Sequence, residues 1–227
     1  MLQRILVWDL PTRIFHWTLI ICFAGAYLTG EFEARFFHVL FGYSVLGLIL
    51  FRVFWGFIGT RHALFSSFVP SPHRLFVYLR VLFTHHRLRY VGHNPAGAMA
   101  VFTLLTLGLL SAISGIYSFD DPWGGRIKLS HEWLSDIMLA VAGVHILGIT
   151  FMSFHNRENL VWSMVTGKKQ GTPEQGIPSS RCWVGLLLLA LLAGFWLFSL
   201  PGHFFAYHPE HMTTSGDLET ATTQPGE

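Results

Sequence analysis

The chain has 227 residues, of which 52% are hydrophobic and only 12% are charged. This composition is typical of a membrane protein and excludes an ordinary soluble domain. The formal net charge of +2 is too small to indicate nucleic-acid binding, and the sequence has no Cys-x-x-Cys-His motif, so covalently attached c-type haem is excluded.

Five apolar stretches are long enough to cross a bilayer as helices. We expect Asp9 to cap the first, with Pro11 in its first turn, and this span to be retained because no signal-peptide cleavage site follows it. Asn94 followed by Pro95 predicts a similarly capped start for the third. The predicted spans are residues 12–29, 36–58, 96–117, 131–154 and 182–200.

The remaining segments are polar. Between the second and third spans, Leu75, Phe76 and Leu79 have helical spacing among several arginines, which predicts an interfacial helix over about residues 71–90. Residues 156–181 are predicted to form a loop, and the acidic tail 201–227 is predicted to be disordered. The fold class is therefore an all-α membrane protein, a transmembrane helix bundle with a four-helix core in residues 1–170. A linker and a fifth transmembrane helix follow in 171–200.

The basic residues predict the orientation of the bundle. With the amino terminus in the cytoplasm, twelve of the fifteen Lys and Arg residues lie on the cytoplasmic side or at the cytoplasmic ends of spans. Only Arg35, Arg126 and Lys128 fall outside. The positive-inside rule then predicts a multi-pass protein of a bacterial inner membrane, with a cytoplasmic amino terminus and a periplasmic carboxyl tail.

Four histidines lie within the predicted spans: His16 in the first, His38 in the second, and His131 and His145 in the fourth. The last two share one helix face to within about 40° and lie about 21 Å apart along the axis. With the predicted topology, depth predicts two pairs, His16 with His145 on the inner side and His38 with His131 on the outer side.

Each pair joins two different helices, as an axial bis-imidazole site for haem b requires. A bare zinc or copper ion would need further ligands, and no Cys, Asp or Glu lies at matching depth. The alternative is that these histidines only form hydrogen bonds between helices. The other histidines, His93 among them, are interpreted as interfacial or solvated, and Trp8 as part of an interfacial aromatic belt.

Several short motifs carry a family resemblance. They are Trp8-Asp-Leu-Pro-Thr-Arg-Ile-Phe-His-Trp17, His38-Val-Leu-Phe-Gly-Tyr43, Arg52-Val-Phe-Trp-Gly56 and His93-Asn-Pro-Ala-Gly97. Together with the histidines of the fourth span, they resemble the prokaryotic cytochrome b561 family, and within it the b-type cytochrome subunits of nickel-iron hydrogenases. The resemblance covers about residues 4–170. It implies a four-helix core that holds two b haems, with His16, His38, His131 and His145 as axial ligands.

The leading hypothesis is a di-haem b-type cytochrome that transfers electrons between the quinone pool and a redox partner. That partner would be a periplasmic c-type cytochrome or a dehydrogenase or hydrogenase-like subunit. Arg13 and Arg52 are candidates for contacts with haem propionates, and snorkelling to lipid headgroups is the alternative. Two other functions stay open: a stand-alone oxidoreductase for a small substrate such as superoxide, and a haem-free transporter or scaffold.

Overall fold

The computed structural model describes residues 3–32, 34–69, 71–82, 90–118 and 125–199. Five of its helices are long and apolar enough to cross a membrane, which confirms the predicted all-α membrane fold. The helices are α1 (Leu10–Glu31), α2 (Arg35–Ile58), α3 (Pro72–Leu82), α4 (Pro95–Tyr117), α5 (Arg126–Asn156), α6 (Leu160–Thr166) and α7 (Cys182–Ser199).

Both predicted helix caps are present. The Asp9 carboxylate accepts a hydrogen bond of 2.8 Å from the backbone N–H of Thr12, at the start of α1. The Asn94 side chain accepts one of 2.6 Å from the N–H of Gly97, at the start of α4. Each cap satisfies a backbone donor that the first helical turn leaves free.

The long helices pack in pairs. Helix α1 lies along α2, α4 lies along α5, and the two pairs meet between α2 and α4. Gly108 permits this meeting, since a Cβ atom there would come within 2.7 Å of Ile49 Cδ1. Helices α1 and α5 share little backbone contact. The core is formed by Phe15, Cys22, Val45, Leu48, Ile49, Leu105 and Leu188.

A two-stranded antiparallel sheet closes one end of the bundle. Strand β1 (Gln3–Leu6) pairs with β2 (Lys168–Gly171). The backbone N–H of Ile177 donates to the Leu6 carbonyl at 2.8 Å, and Arg61 donates to the Glu174 carbonyl at 2.9 Å. The amino-terminal segment and two loops thus meet at one end, which we call the N-side; the opposite end is the far side. The sequence analysis did not anticipate this sheet or α6.

The predicted interfacial helix corresponds in part to α3, which ends at Leu82. Its apolar side chains Phe76 and Leu79 are exposed, as a membrane-surface helix requires. Residues 83–89 of the prediction and the tail 201–227 lie outside the described residues. The chain divides into two compact units, Met1–Leu191 and Leu192–Glu227, and all packing described here lies within the first.

Candidate functional site

The structure brings His38 and His131 together at the far side. Their ring centroids lie 5.8 Å apart, and the ring planes are nearly perpendicular at 89°. His38 lies in the first turn of α2, and His131 lies in the second turn of α5. Two imidazoles from different helices therefore share one small region of the bundle.

Both rings are oriented by backbone carbonyls. The Nδ1 atom of His38 lies 2.8 Å from the Ala26 oxygen, and that of His131 lies 2.8 Å from the Ser111 oxygen. A carbonyl only accepts hydrogen bonds, so each Nδ1 carries the proton and donates it. The lone pair is then on Nε2. Histidines that bind metals are oriented in this way, with one ring nitrogen donating to a carbonyl and the other free to ligate.

Two glycines leave room for these rings. A Cβ atom at Gly30 would come within 3.0 Å of His38 Nδ1, and one at Gly115 would come within 3.0 Å of His131 Cε1. Normal carbon contacts are about 3.5–4.0 Å. A larger residue at either position would therefore push the neighbouring imidazole by a few tenths of an ångström.

The other two histidines lie towards the N-side. His16 of α1 and His145 of α5 lie close enough that a charge on one would oppose a charge on the other, and His145 is also within such range of His93. The His16 Nδ1 atom is buried and has no hydrogen-bond partner among the described residues. A buried polar atom without a partner is costly in a stable protein and indicates a group that the protein chain itself does not supply.

Two arginines are candidates for contacts at the N-side: Arg13 is one turn before His16 on α1, and Arg52 lies near His93. Arg52 is only 2% exposed; its Nη2 donates to the Ala63 carbonyl at 3.0 Å, and its guanidinium lies 4.8 Å from the Phe65 ring centroid. Arg13 donates to the Val165 carbonyl. Within the described ranges, Arg52 Nη1 and Arg13 Nε are buried without a partner, and neither arginine forms an ion pair with a carboxylate. Burial of Arg52 argues against snorkelling, and an anionic group such as a haem propionate would satisfy both.

The structure corrects the interpretation of His93 and Trp8. His93 is half-buried, not fully solvated, and its ring centroid lies 4.0 Å from that of Phe68 and 4.9 Å from that of Trp8. Trp8 is buried at 6% exposure and is not part of an interfacial belt. Burial, with nearby Arg52, lowers the pKa of His93 to about 3. Sequence reasoning missed His93 because it lies in a basic loop, and such loops are usually solvated. The signal that could have found it is the motif His93-Asn-Pro-Ala-Gly97, which begins with this residue.

The four histidines fit haem better than a bare ion. Among the described residues, no group of three or more His, Cys, Asp or Glu side chains comes together. A pair of imidazoles is sufficient only for an iron whose remaining ligands belong to a porphyrin. The unpartnered nitrogens of His16, Arg13 and Arg52 are consistent with such a group. The ligand assignment itself stays a prediction.

Comparisons with known proteins agree with this chemistry. The family model described as prokaryotic cytochrome b561 matches residues 7–167. A probable Ni/Fe-hydrogenase B-type cytochrome subunit of Rhizobium leguminosarum bv. viciae is 25% identical over 213 residues, covering 74% of this chain and 89% of the relative. The subunit so named in Rhodobacter capsulatus is 24% identical, covering 72% and 80%. A probable Ni/Fe-hydrogenase 1 B-type cytochrome subunit of Escherichia coli (strain K12) is 26% identical, covering 71% and 88%. No solved structure matches the chain.

Proposed function

The chain belongs to the prokaryotic cytochrome b561 family, and we propose that it uses two b haems to carry electrons between the quinone pool and a redox partner. As a member of this family it is a membrane-bound, haem-binding b-type cytochrome that takes part in electron transfer. The haem-free transporter hypothesis is thereby not supported. The proposal concerns the number of haems, their ligands, and the molecules at the two ends of the electron path.

The separation of the histidines into two pairs is the observation that carries the proposal. His131 and His145 lie on one helix, α5, about 21 Å apart along its axis. His131 is in ring contact with His38 of α2. His145 lies within electrostatic range of His16 of α1, and also of His93. Two pairs at two depths support two sites, one towards each membrane surface.

Haem b, when bound, supplies an iron that alternates between the ferric and ferrous states, one electron at a time. The chain's own residues would determine how easily that change occurs. The imidazoles of each pair would bind the iron, and the carbonyls of Ala26 and Ser111 hold the far-side rings in place. Arg52 and Arg13 would hold propionates at the N-side. Because Arg52 is buried, its charge would also stabilise the reduced form there.

We further propose that the N-side faces the cytoplasm of a bacterial inner membrane. Twelve of the fifteen Lys and Arg residues lie at the inner ends of spans or in the loops on that side. The far-side pair would then lie near the periplasm, where a c-type cytochrome could dock. The names of the relatives suggest a hydrogenase-like or dehydrogenase subunit as another candidate partner.

The test is the haem content and spectrum of the purified chain. We expect reduced-minus-oxidised b-type bands and about two haems per chain, which quinol reduces. His38→Ala and His131→Ala should each remove the same haem, while His16→Ala and His145→Ala should each remove the other. The exposed residue His73 gives a matched control, since His73→Ala should keep both haems.

Loss of the same haem from His16→Ala and His38→Ala would contradict the pairing. One haem per chain in the unmodified protein would contradict the two-site proposal. If quinol leaves both haems oxidised while superoxide reacts with them, the quinone-linked function is wrong and the stand-alone oxidoreductase is favoured.

A further inference from the structure

The fifth long helix creates a groove on the outside of the bundle. The groove lies between α2 and the first half of α7 and has a volume of about 400 Å³. Its α7 wall lies beyond the family match, which ends at residue 167, while its α2 wall lies within that match. Its walls are apolar and partly aromatic. They are formed by Phe51, Phe54, Trp55 and Ile58 of α2 and by Trp183, Val184, Leu187, Leu188 and Leu191 of α7.

Helix α7 approaches α1 closely at Gly185. A Cβ atom at Gly185 would come within 3.0 Å of the side chains of both Leu10 and Ile14, so α7 packs closely on α1 there. The Leu10 backbone N–H also donates to the Ser180 carbonyl at 2.9 Å. The groove is the space that remains between α7 and α2 beyond this contact.

One charge lies among the groove's lining residues. The side chain of Arg181, immediately before α7, is exposed, and the described part of the chain gives its guanidinium neither a hydrogen bond nor an ion pair. Trp183 beside it is 67% exposed, as a residue at the membrane surface commonly is. An apolar groove with one unpaired cation at its membrane-surface end is complementary to an amphipathic anion.

The groove has the depth of one leaflet. Ten residues separate Arg181 from Leu191, which corresponds to about 15 Å along a helix axis. The hydrocarbon core of a bilayer is about 30 Å thick, so the groove runs from the headgroup level to about the midplane. We propose that it binds one anionic phospholipid of the N-side leaflet, with the phosphate on Arg181 and an acyl chain between α2 and α7.

Lipid retention tests this proposal on the full chain with its haem. The protein is purified in mild detergent, mixed with equal amounts of phosphatidylglycerol and phosphatidylcholine, and analysed by native mass spectrometry. We expect one phosphatidylglycerol per chain to survive detergent washing preferentially. One Lys or Arg side chain near the membrane surface contributes about fivefold to the affinity for an anionic lipid. Arg181→Gln should therefore lower the retention of phosphatidylglycerol by about that factor. The exposed residue Arg74 of α3 gives the matched control, and Arg74→Gln should leave retention unchanged.

A second variant tests the groove independently of charge. Leu187 lines it and is 49% exposed, so Leu187→Trp should fill the space and displace the acyl chain. Leu147, an exposed leucine of α5, provides the control Leu147→Trp, which should retain the lipid. Unchanged haem spectra would show that each variant is folded.

Three results would overturn the proposal. Equal retention of the two lipids by the unmodified chain would remove the role of the phosphate. Equal effects of Arg181→Gln and Arg74→Gln would remove the role of Arg181. If Leu187→Trp removes a co-purifying quinone, or disrupts a dimer of the chain, and leaves the phospholipid bound, the groove has a different occupant.

Discussion

Replacing Gly115 by alanine should selectively weaken the far-side site. The added Cβ atom would lie 3.0 Å from His131 Cε1 and 3.2 Å from its Nδ1. Normal contact requires about 3.5–4.0 Å, so the ring must retreat by about half an ångström. It cannot do so freely, because the 2.8 Å hydrogen bond from Nδ1 to the Ser111 carbonyl holds it. The Nε2 atom would therefore move with the ring away from the position where it would ligate iron.

Two opposing contributions determine how Gly115→Ala changes the free energy of unfolding. Overpacking costs about 1–3 kcal/mol, while alanine in a helix is favoured over glycine by about 1 kcal/mol, so the free energy of unfolding should change little. Ligand geometry tolerates only about 0.5 Å of error, and disturbing the residues that orient a metal ligand typically costs 10–100-fold in affinity. We therefore expect Gly115→Ala to lower the affinity for one haem by that factor and to leave the other haem in place.

The assay is a titration of haem into the purified, haem-depleted protein, followed by absorbance. Gly47 offers a matched control on α2, since it is exposed and a Cβ atom there would meet nothing within 4 Å. Gly47→Ala should bind both haems as the unmodified chain does. Unchanged binding of both haems by Gly115→Ala, or an equal loss in Gly47→Ala, would refute the reasoning.

Substitutions at three other positions have expected outcomes. Asp9→Ala removes the cap of α1 and also the acceptor of the 3.0 Å hydrogen bond from Trp55 Nε1. It should lower the free energy of unfolding by about 3 kcal/mol, as measured by denaturant titration, and Asp9→Asn should lower it less. Because the folded-state pKa of His93 is about 3, below its ordinary value, the unfolded state binds the extra proton as pH falls below about 6.5. Stability should then decline by about 1.4 kcal/mol per pH unit down to about pH 3, and a shallower decline in His93→Phe would confirm the cause. Arg52→Gln should lower one midpoint potential by about 60 mV in a redox titration, whereas Arg74→Gln should change neither.

The long helices and their caps could be predicted because their signals are local. Asp9 and Asn94 each cap a helix that begins within two residues, and an apolar stretch of about 20 residues indicates a span by itself. The two-stranded sheet gave no such signal. Its strands have four residues each, Gln-Arg-Ile-Leu and Lys-Lys-Gln-Gly, and neither shows a clear alternation of apolar and polar residues.

In the candidate site, too, local sequence signals could be read in advance and contacts between distant residues could not. Depth along the helices was enough to select four histidines, because helix geometry is regular. The environment of His93 depends on Trp8 and Phe68, which come from other parts of the chain, and only the fold brings the three rings together. The groove beside α7 likewise depends on how Gly185 packs on α1. Neither feature has a period or a spacing that sequence analysis could detect.

The strand that begins the described chain has a consequence for biosynthesis. Gln3 pairs with Gly171, so the partner of the first strand is synthesised only after four of the long helices. Pairings between distant residues form late, because a long loop must close first. The N-side of the newly made bundle therefore stays open until that moment, which gives a cofactor a period in which to enter. A bulky fusion at the amino terminus should prolong that period and yield protein with a loosened N-side, whereas the same fusion at the carboxyl terminus should leave the sheet intact.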